Sequence, residues 1–200
     1  MAKRDIEFLY EIGALRFVQR TWRQFFREDV ANNSEHMFRV MWTALAISKA
    51  EKVKNEEKIL KMALVHDIGE SRCPDSNYLS KNYSTRDEDK ALNDMLVSTE
   101  FEKEFVELFN EYHARKSIEA KIVKDADNLD VDFEIVEHAA NGSTLIKNWK
   151  SKRALVYKEL FTSTAKKMWK EIYNSDPNAW HVKGHEKYYK LKKNKNEKQI

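Results

Sequence analysis

The stretch Leu64–Glu70, LVHDIGE, sets one imidazole and two carboxylates at the end of an apolar helical pattern. Read as a continuous helix, adjacent His66 and Asp67 lie ~100° apart around the axis, while His66 and Glu70 share a face at i, i+4. Ionisable groups at the inner end of an apolar helix are costly unless charge partners or a metal ion compensate them. An imidazole nitrogen and a carboxylate oxygen together suit a divalent transition ion. Two ligands are too few, so others must come from elsewhere in the chain. His36 stands one turn into the preceding helix beside Met37, Phe38 and Val40. Asp127 stands mid-helix in AKIVKDADNLDVDFEIV, where an acid has no capping role. Taken singly, each reads better as a hydrogen-bonded core polar group than as a ligand.

The elements that must position these residues read as helices. Apolar residues at 6, 8, 9, 12, 15 and 17 roughly follow a 3.6 period. Residues 21–33 break that pattern and read as a connecting loop. Asn33 or Ser34 offers an N-cap for a helix carrying Met37, Val40, Met41, Ala44, Leu45 and Ile47. Asn55, followed by Glu56 and Glu57, starts the helix that leads into His66. Residues 71–84 read as a loop around Pro74, and Thr85–Glu88 and Thr99–Glu102 have the spacing of capping boxes. Ser117 opens a long helix to about His138, residues 143–173 supply one or two more, and Asp176-Pro177 is a stop.

Composition agrees with an all-α fold and excludes several functions. Gly (4) and Pro (2) are scarce in 200 residues, where average usage would be about 12% of a chain. The four glycines lie too far apart to build a Walker loop, a GxGxxG turn or a GxSxG nucleophile elbow. The single Cys73 excludes an intramolecular disulfide and a cysteine-rich zinc cluster. No apolar run approaches the ~18 residues of a membrane span, and the acids within MAKRDIEFLYEIGALRF argue against a signal peptide. A cytoplasmic protein without membrane contact is expected. Seven lysines against Glu186 and Glu197 give residues 181–200 a formal +5 of the chain's +3, which leaves −2 on residues 1–180. That body is not a basic nucleic-acid reader, and the lysine-rich end, where Gly184 disfavours helix, reads as a ragged solvated terminus.

In the order His36, His66-Asp67, Asp127, these residues resemble the H…HD…D tetrad of the HD-domain metal-dependent phosphohydrolases. Flanking segments narrow the likeness to the branch of 5'-deoxynucleotidases and related HD-domain proteins. LRFVQRTWR (15–23) is similar to that branch's arginine–tryptophan segment, and NNSEHMFRV (32–40) to its N-S-x-H helix start. LVHDIGESRCPD (64–75) keeps acids four and nine residues after the histidine, and EYHARKSIEAKIVKDADNLD (111–130) resembles the E-Y…S-x-E-A…D-x-L segment. Pro74 stands where the family often has glycine, and His113 where many relatives have an acid.

The resemblance spans roughly residues 8–140. It implies a helical bundle of about five core helices with additional C-terminal helices, residues 1–178 forming the HD domain and 179–200 a tail. It implies one divalent metal ion (Mn²⁺, Co²⁺, Fe²⁺ or Zn²⁺) on His36, His66, Asp67 and Asp127, a nucleotide substrate and a homodimer. Glu70, in register with a ligand, is the candidate general base or water-positioning group. By the same resemblance Asp75 contacts the sugar or leaving oxygen, Arg20 grips the phosphate, as a guanidinium fork suits it to do, and Trp22 walls the sugar pocket. The implied reaction is hydrolysis of nucleoside 5'-monophosphates, deoxy forms foremost, by direct water attack. Two rivals stay open: another phosphorylated metabolite such as an alarmone, against which Ser71 stands where that branch favours an acid, and a non-catalytic binding module, against which Glu70 is intact.

Overall fold

The protein is described by a computed structural model covering residues 3–26, 28–144 and 146–197. Among the described residues there is no strand, only one antiparallel bridge between Gln19 and Asn32. Helices α1 (Lys3–Ala14), α2 (Arg23–Phe26), α3 (Asn33–Glu51), α4 (Glu56–Val65) and α5 (Glu88–Leu96) form the N-terminal half. Helices α6 (Glu102–Ala114), α7 (Ile118–Ala140), α8 (Ile146–Glu159), α9 (Ser163–Asn174) and α10 (Ala179–Glu197) complete the chain. The all-α expectation is met.

Helices α3, α4 and α7 form the centre, α6 packs on α4 and α7, and α9 packs on α7. Their shared core includes Val40, Ala44 and Ile47 of α3, Ile59 and Met62 of α4, and Ile122, Ala126 and Leu129 of α7, all fully buried. The α3 positions are among the apolar residues read from the sequence for that helix. Beside this core stand His36, one turn before Val40 on α3, His66 and Asp67, just past the end of α4, and Asp127, between Ala126 and Leu129 on α7.

Start signals behave as capping chemistry requires, with some shifts. Asn55 and Ser117 accept the backbone N–H groups of Lys58 and Ala120. The cap of α3 is Asn32, which forms a full capping box with Glu35. Asn33, the expected cap, is instead buried and donates its amide to the Asp67 carbonyl at 3.1 Å. Helix α5 is capped by Asp87 rather than Thr85. The Thr99 hydroxyl donates to the Leu96 carbonyl and accepts the Phe101 N–H at 3.3 Å instead of the Glu102 N–H of a capping box, although Glu102 still receives the Ser98 N–H.

Three expectations are corrected. Residues 21–33 are not wholly loop, because RQFF forms the single turn α2, and its Phe26 is buried. Helix α4 ends at Val65, and a 3₁₀ turn begins at Ile68, so His66 and Glu70 do not share one helix. The tail is not ragged over its described part: α10 runs through Gly184 to Glu197. One helical glycine costs only about 1 kcal/mol, and the flanking Lys, Glu and Leu are good helix formers. Lys198 lies outside the described residues.

A buried network ties the C-terminal helices to α7. Arg153 of α8 grips both oxygens of Asp132 at 2.9 and 2.8 Å, and the Tyr173 hydroxyl of α9 donates to the same carboxylate at 2.8 Å. Asp125 accepts the Phe161 and Thr162 N–H groups at 2.8 Å each, which anchors the start of α9.

Candidate metal centre

The four residues in H…HD…D order come from three different elements. His36 lies on the first turn of α3, His66 and Asp67 on the turn that ends α4, and Asp127 on the middle of α7. Each offers a ligand atom, and these atoms all lie within 4.8 Å of one another. His36 Nε2 is 3.4 Å from both Asp67 Oδ2 and Asp127 Oδ1, and His66 Nε2 is 3.3 Å from Asp67 Oδ2.

The opposite edge of each imidazole is occupied. His36 Nδ1 donates to Asp130 at 2.5 Å, and His66 Nδ1 donates to the Ala63 carbonyl at 2.7 Å. This arrangement leaves both Nε2 atoms facing the cluster, buried and without a hydrogen-bond partner among the described residues. Two orphaned imidazole nitrogens beside two carboxylates form a donor set that fits a divalent cation.

Electrostatics favour positive charge at this point. Burial and Arg20 oppose charging His36, but Asp127, Asp130 and Asp67 outweigh them and push its pKa up to about 10. Burial acts to raise Asp67 and Asp127, yet both are held below the usual carboxylate range. The His66 and His36 rings lower Asp67, and Lys124 with the same rings lowers Asp127.

Above the cluster opens a cleft of about 230 Å³ that collects the remaining candidates. Glu70 lines it from the 3₁₀ turn. Burial, then the charges of Asp67 and Asp75, push Glu70 up to about 9 against the pull of Arg20 and Arg86. Asp75 faces the same space and accepts from Arg86 at 2.9 Å, with Lys81 at 3.5 Å. Pro74 therefore does not turn Asp75 away from the cleft. Arg20 reaches in with its Nε buried and unpartnered among the described residues. Trp22 stands at the wall, packed edge-on against Trp149 at 5.0 Å.

Several residues in and around the cluster and the cleft escaped the sequence reading. Asp130 joins His36 to Arg39, which in turn holds Glu137 at 2.7 and 2.8 Å. Its spacing of three from Asp127 was the available signal. Lys124 and Tyr112 both donate to Asp127 Oδ2, at 2.7 and 3.2 Å, and Asp127 Oδ1 is the oxygen that faces His36. Arg86 gathers Asp75, Glu88 and Glu70 around one guanidinium, and nothing in its local sequence marks it. Of the other histidines, His113 lines the cleft, His138 sits 2.7 Å from Glu28, and His181 and His185 are exposed on α10.

A model of the HD domain matches residues 12–172. The chain belongs to the HD-domain family. Among curated HD-domain relatives, the 5'-deoxynucleotidase HDDC2 of Danio rerio is 32% identical over 139 residues, covering 66% of this chain and 68% of that protein. The Homo sapiens 5'-deoxynucleotidase HDDC2 is 30% identical over 148 residues, covering 68% and 72%. Among solved structures, a Pyrococcus horikoshii protein superposes with a TM-score of 0.67 at 26% identity, over 84% of this chain and 97% of that one. HD-domain membership implies a divalent cation, and the four converging side chains are a donor set that suits one.

Proposed function

We propose that this chain is a metal-dependent phosphomonoesterase that hydrolyses nucleoside 5'-monophosphates, with deoxynucleotides as the preferred class. The observation that carries the reading is the pair of buried, unpartnered Nε2 atoms of His36 and His66, set among Asp67 and Asp127 under a cleft lined by Glu70 and Arg20. The similarity to 5'-deoxynucleotidases supports the substrate class.

In this reading His36, His66, Asp67 and Asp127 hold the cation. When bound, the divalent ion would polarise the phosphoryl group, acidify a water molecule and offset the carboxylate charge that crowds Glu70. Arg20, with an unpaired buried Nε, binds the phosphate. Glu70 accepts the proton of the attacking water. Asp75, tethered by Arg86, addresses the sugar or leaving oxygen, and Trp22 bounds the sugar. With no Ser, Cys or Asp set in a nucleophile motif, water attacks phosphorus directly, the P–O5' bond breaks, and the leaving alkoxide takes up a proton to give nucleoside and phosphate.

The proposal extends to a catalytic unit of residues 1–178 with an appended tail, a homodimer and a cytoplasmic location. The end of the family match at residue 172 supports the first. The exposed Phe38 and Trp42, i and i+4 on α3, support an apolar contact between copies. No helix among the described residues is long and apolar enough to cross a membrane. A panel of nucleotides incubated with purified protein and Mn²⁺ or Co²⁺, alongside elemental analysis, tests the central reading. Release of phosphate from deoxynucleoside monophosphates is expected. Turnover confined to other phosphate esters, or none, would replace it with one of the two rivals.

A further inference from the structure

We propose that Tyr78, backed by Arg153, is the platform on which the base of the nucleotide rests; this inference depends on the nucleotidase reading above. With the phosphate fixed over the metal cluster, the nucleoside must leave across one wall of the cleft. Glu70, Asp75 and Glu88 line the cleft ion-paired with Arg86 and Lys81, and Arg115 and Lys124 line it together with Tyr112 and His113. The lining also includes Trp22, Tyr78, Val131, Asn128 and Arg153, two aromatic faces and an aliphatic side chain with an amide and no carboxylate among them.

That part of the lining continues outward. A trough of about 600 Å³, lined mostly by apolar atoms of α8 and including Trp149 and Val156, opens beyond it. Tyr78 and Arg153 line both spaces, so they form the seam between the metal cleft and the trough. A base extending from a sugar beside Trp22 meets this seam.

Both seam residues are held in place. Tyr78 is 63% exposed, yet its loop is pinned. Asn77 Oδ1 accepts the Leu79 and Ser80 N–H groups at 3.0 and 2.9 Å, and its amide donates to Gln24 at 3.1 Å. Arg153 is 3% exposed and fixed by Asp132 and the Asn128 carbonyl. A planar, weakly hydrated guanidinium and an aromatic ring are both surfaces on which a base stacks. Stacking accepts any base, because every base has a π-face, so the platform favours nucleotides over base-free sugar phosphates without choosing among bases.

The test compares kcat/KM for 2'-deoxyadenosine 5'-monophosphate with that for 2-deoxyribose 5-phosphate, with Mn²⁺ or Co²⁺ present. Wild type, Tyr78→Ala and Tyr78→Phe are measured, with melting curves to confirm folding. Wild type should prefer the nucleotide, Tyr78→Ala should lower that preference about tenfold, chiefly through KM, and Tyr78→Phe should keep it. An active wild type whose preference is unmoved by Tyr78→Ala removes the platform alone. Equal loss on both substrates assigns Tyr78 to holding the loop that carries Asp75 and also overturns the proposal. A wild type inactive on both substrates removes the nucleotidase reading and the platform with it.

Discussion

The floor and the rim of the cleft are built in opposite ways. The floor takes His36, His66 and Asp127 from the packed helices α3 and α7 and the turn closing α4, with Asp130 and Ala63 locking the far edges of both rings. The rim takes Arg20, Asp75 and Tyr78 from turns and loops, joined mainly by side-chain contacts such as Arg86 to Asp75 and Asn77 to Gln24. Under the proposed reading, the difference teaches where each job is placed. Metal ligands need sub-ångström positions, which regular helices in a close-packed core supply. Substrate contacts need reach and variety, which loops on that scaffold supply.

Substitutions should separate the two regions, most severely at the floor. Asp67→Ala should reduce bound metal from about one equivalent to near zero, because it deletes a ligand without supplying another; normal stoichiometry by elemental analysis would break the comparison outright. Glu70→Gln should lower kcat by about 100- to 10,000-fold while metal content stays at the wild-type level, since only the proton acceptor is lost. A near wild-type kcat would end that role. Asp130→Asn, which weakens the anchor of His36, should cost about 10- to 100-fold in metal affinity, and competition with a chelator of known affinity would read it. Arg20→Ala should act as a rim change, raising KM about tenfold or more with little loss of metal. If KM is unmoved, the guanidinium does not touch phosphate.

The smallest effect concerns stability in chelator-treated protein. Glu70 ionises near 4.5 when exposed but is pushed up to about 9 in the fold. Below pH 4.5 the group is protonated in both states and contributes nothing. As pH rises toward 9 the unfolded chain ionises while the folded one does not, so wild type loses stability that Glu70→Gln retains. The Gln variant should therefore melt a few degrees higher at pH 8 and at the same temperature as wild type at pH 4. Equal melting points at pH 8 would show that the cleft accommodates the carboxylate charge.

What the sequence displays tracks the same division. The four residues that converge in the cluster were legible because a charged pair at the end of an apolar helix, and an acid mid-helix, conflict with local rules. Helix α7 was readable to within about two residues, from Ser117 to Ala140 rather than to His138. Arg86 was not legible, since its partners Asp75 and Glu88 give no periodic signal and meet only when the loop folds. The end of α4 at Val65 was hidden for a related reason. The period of LVHDIGE is helical, and the break comes where Asp67 leaves helical geometry, at φ −127°, ψ 12°, with its carbonyl taken by Asn33. Helix α10 was missed because Gly184 was given more weight than the helix formers around it.

Between residues 125 and 132, α7 deals four aspartates to four different clients: the head of α9, the ligand cluster, the His36–Arg39 pair, and the Arg153–Tyr173 pair. Each residue added to or taken from that stretch would rotate everything beyond it by ~100°. A single indel there would thus uncouple the His36–His66–Asp67–Asp127 cluster from the docking of α8 and α9, although no aspartate had been replaced. The spacing of this octet is as much a part of the site as the side chains it carries.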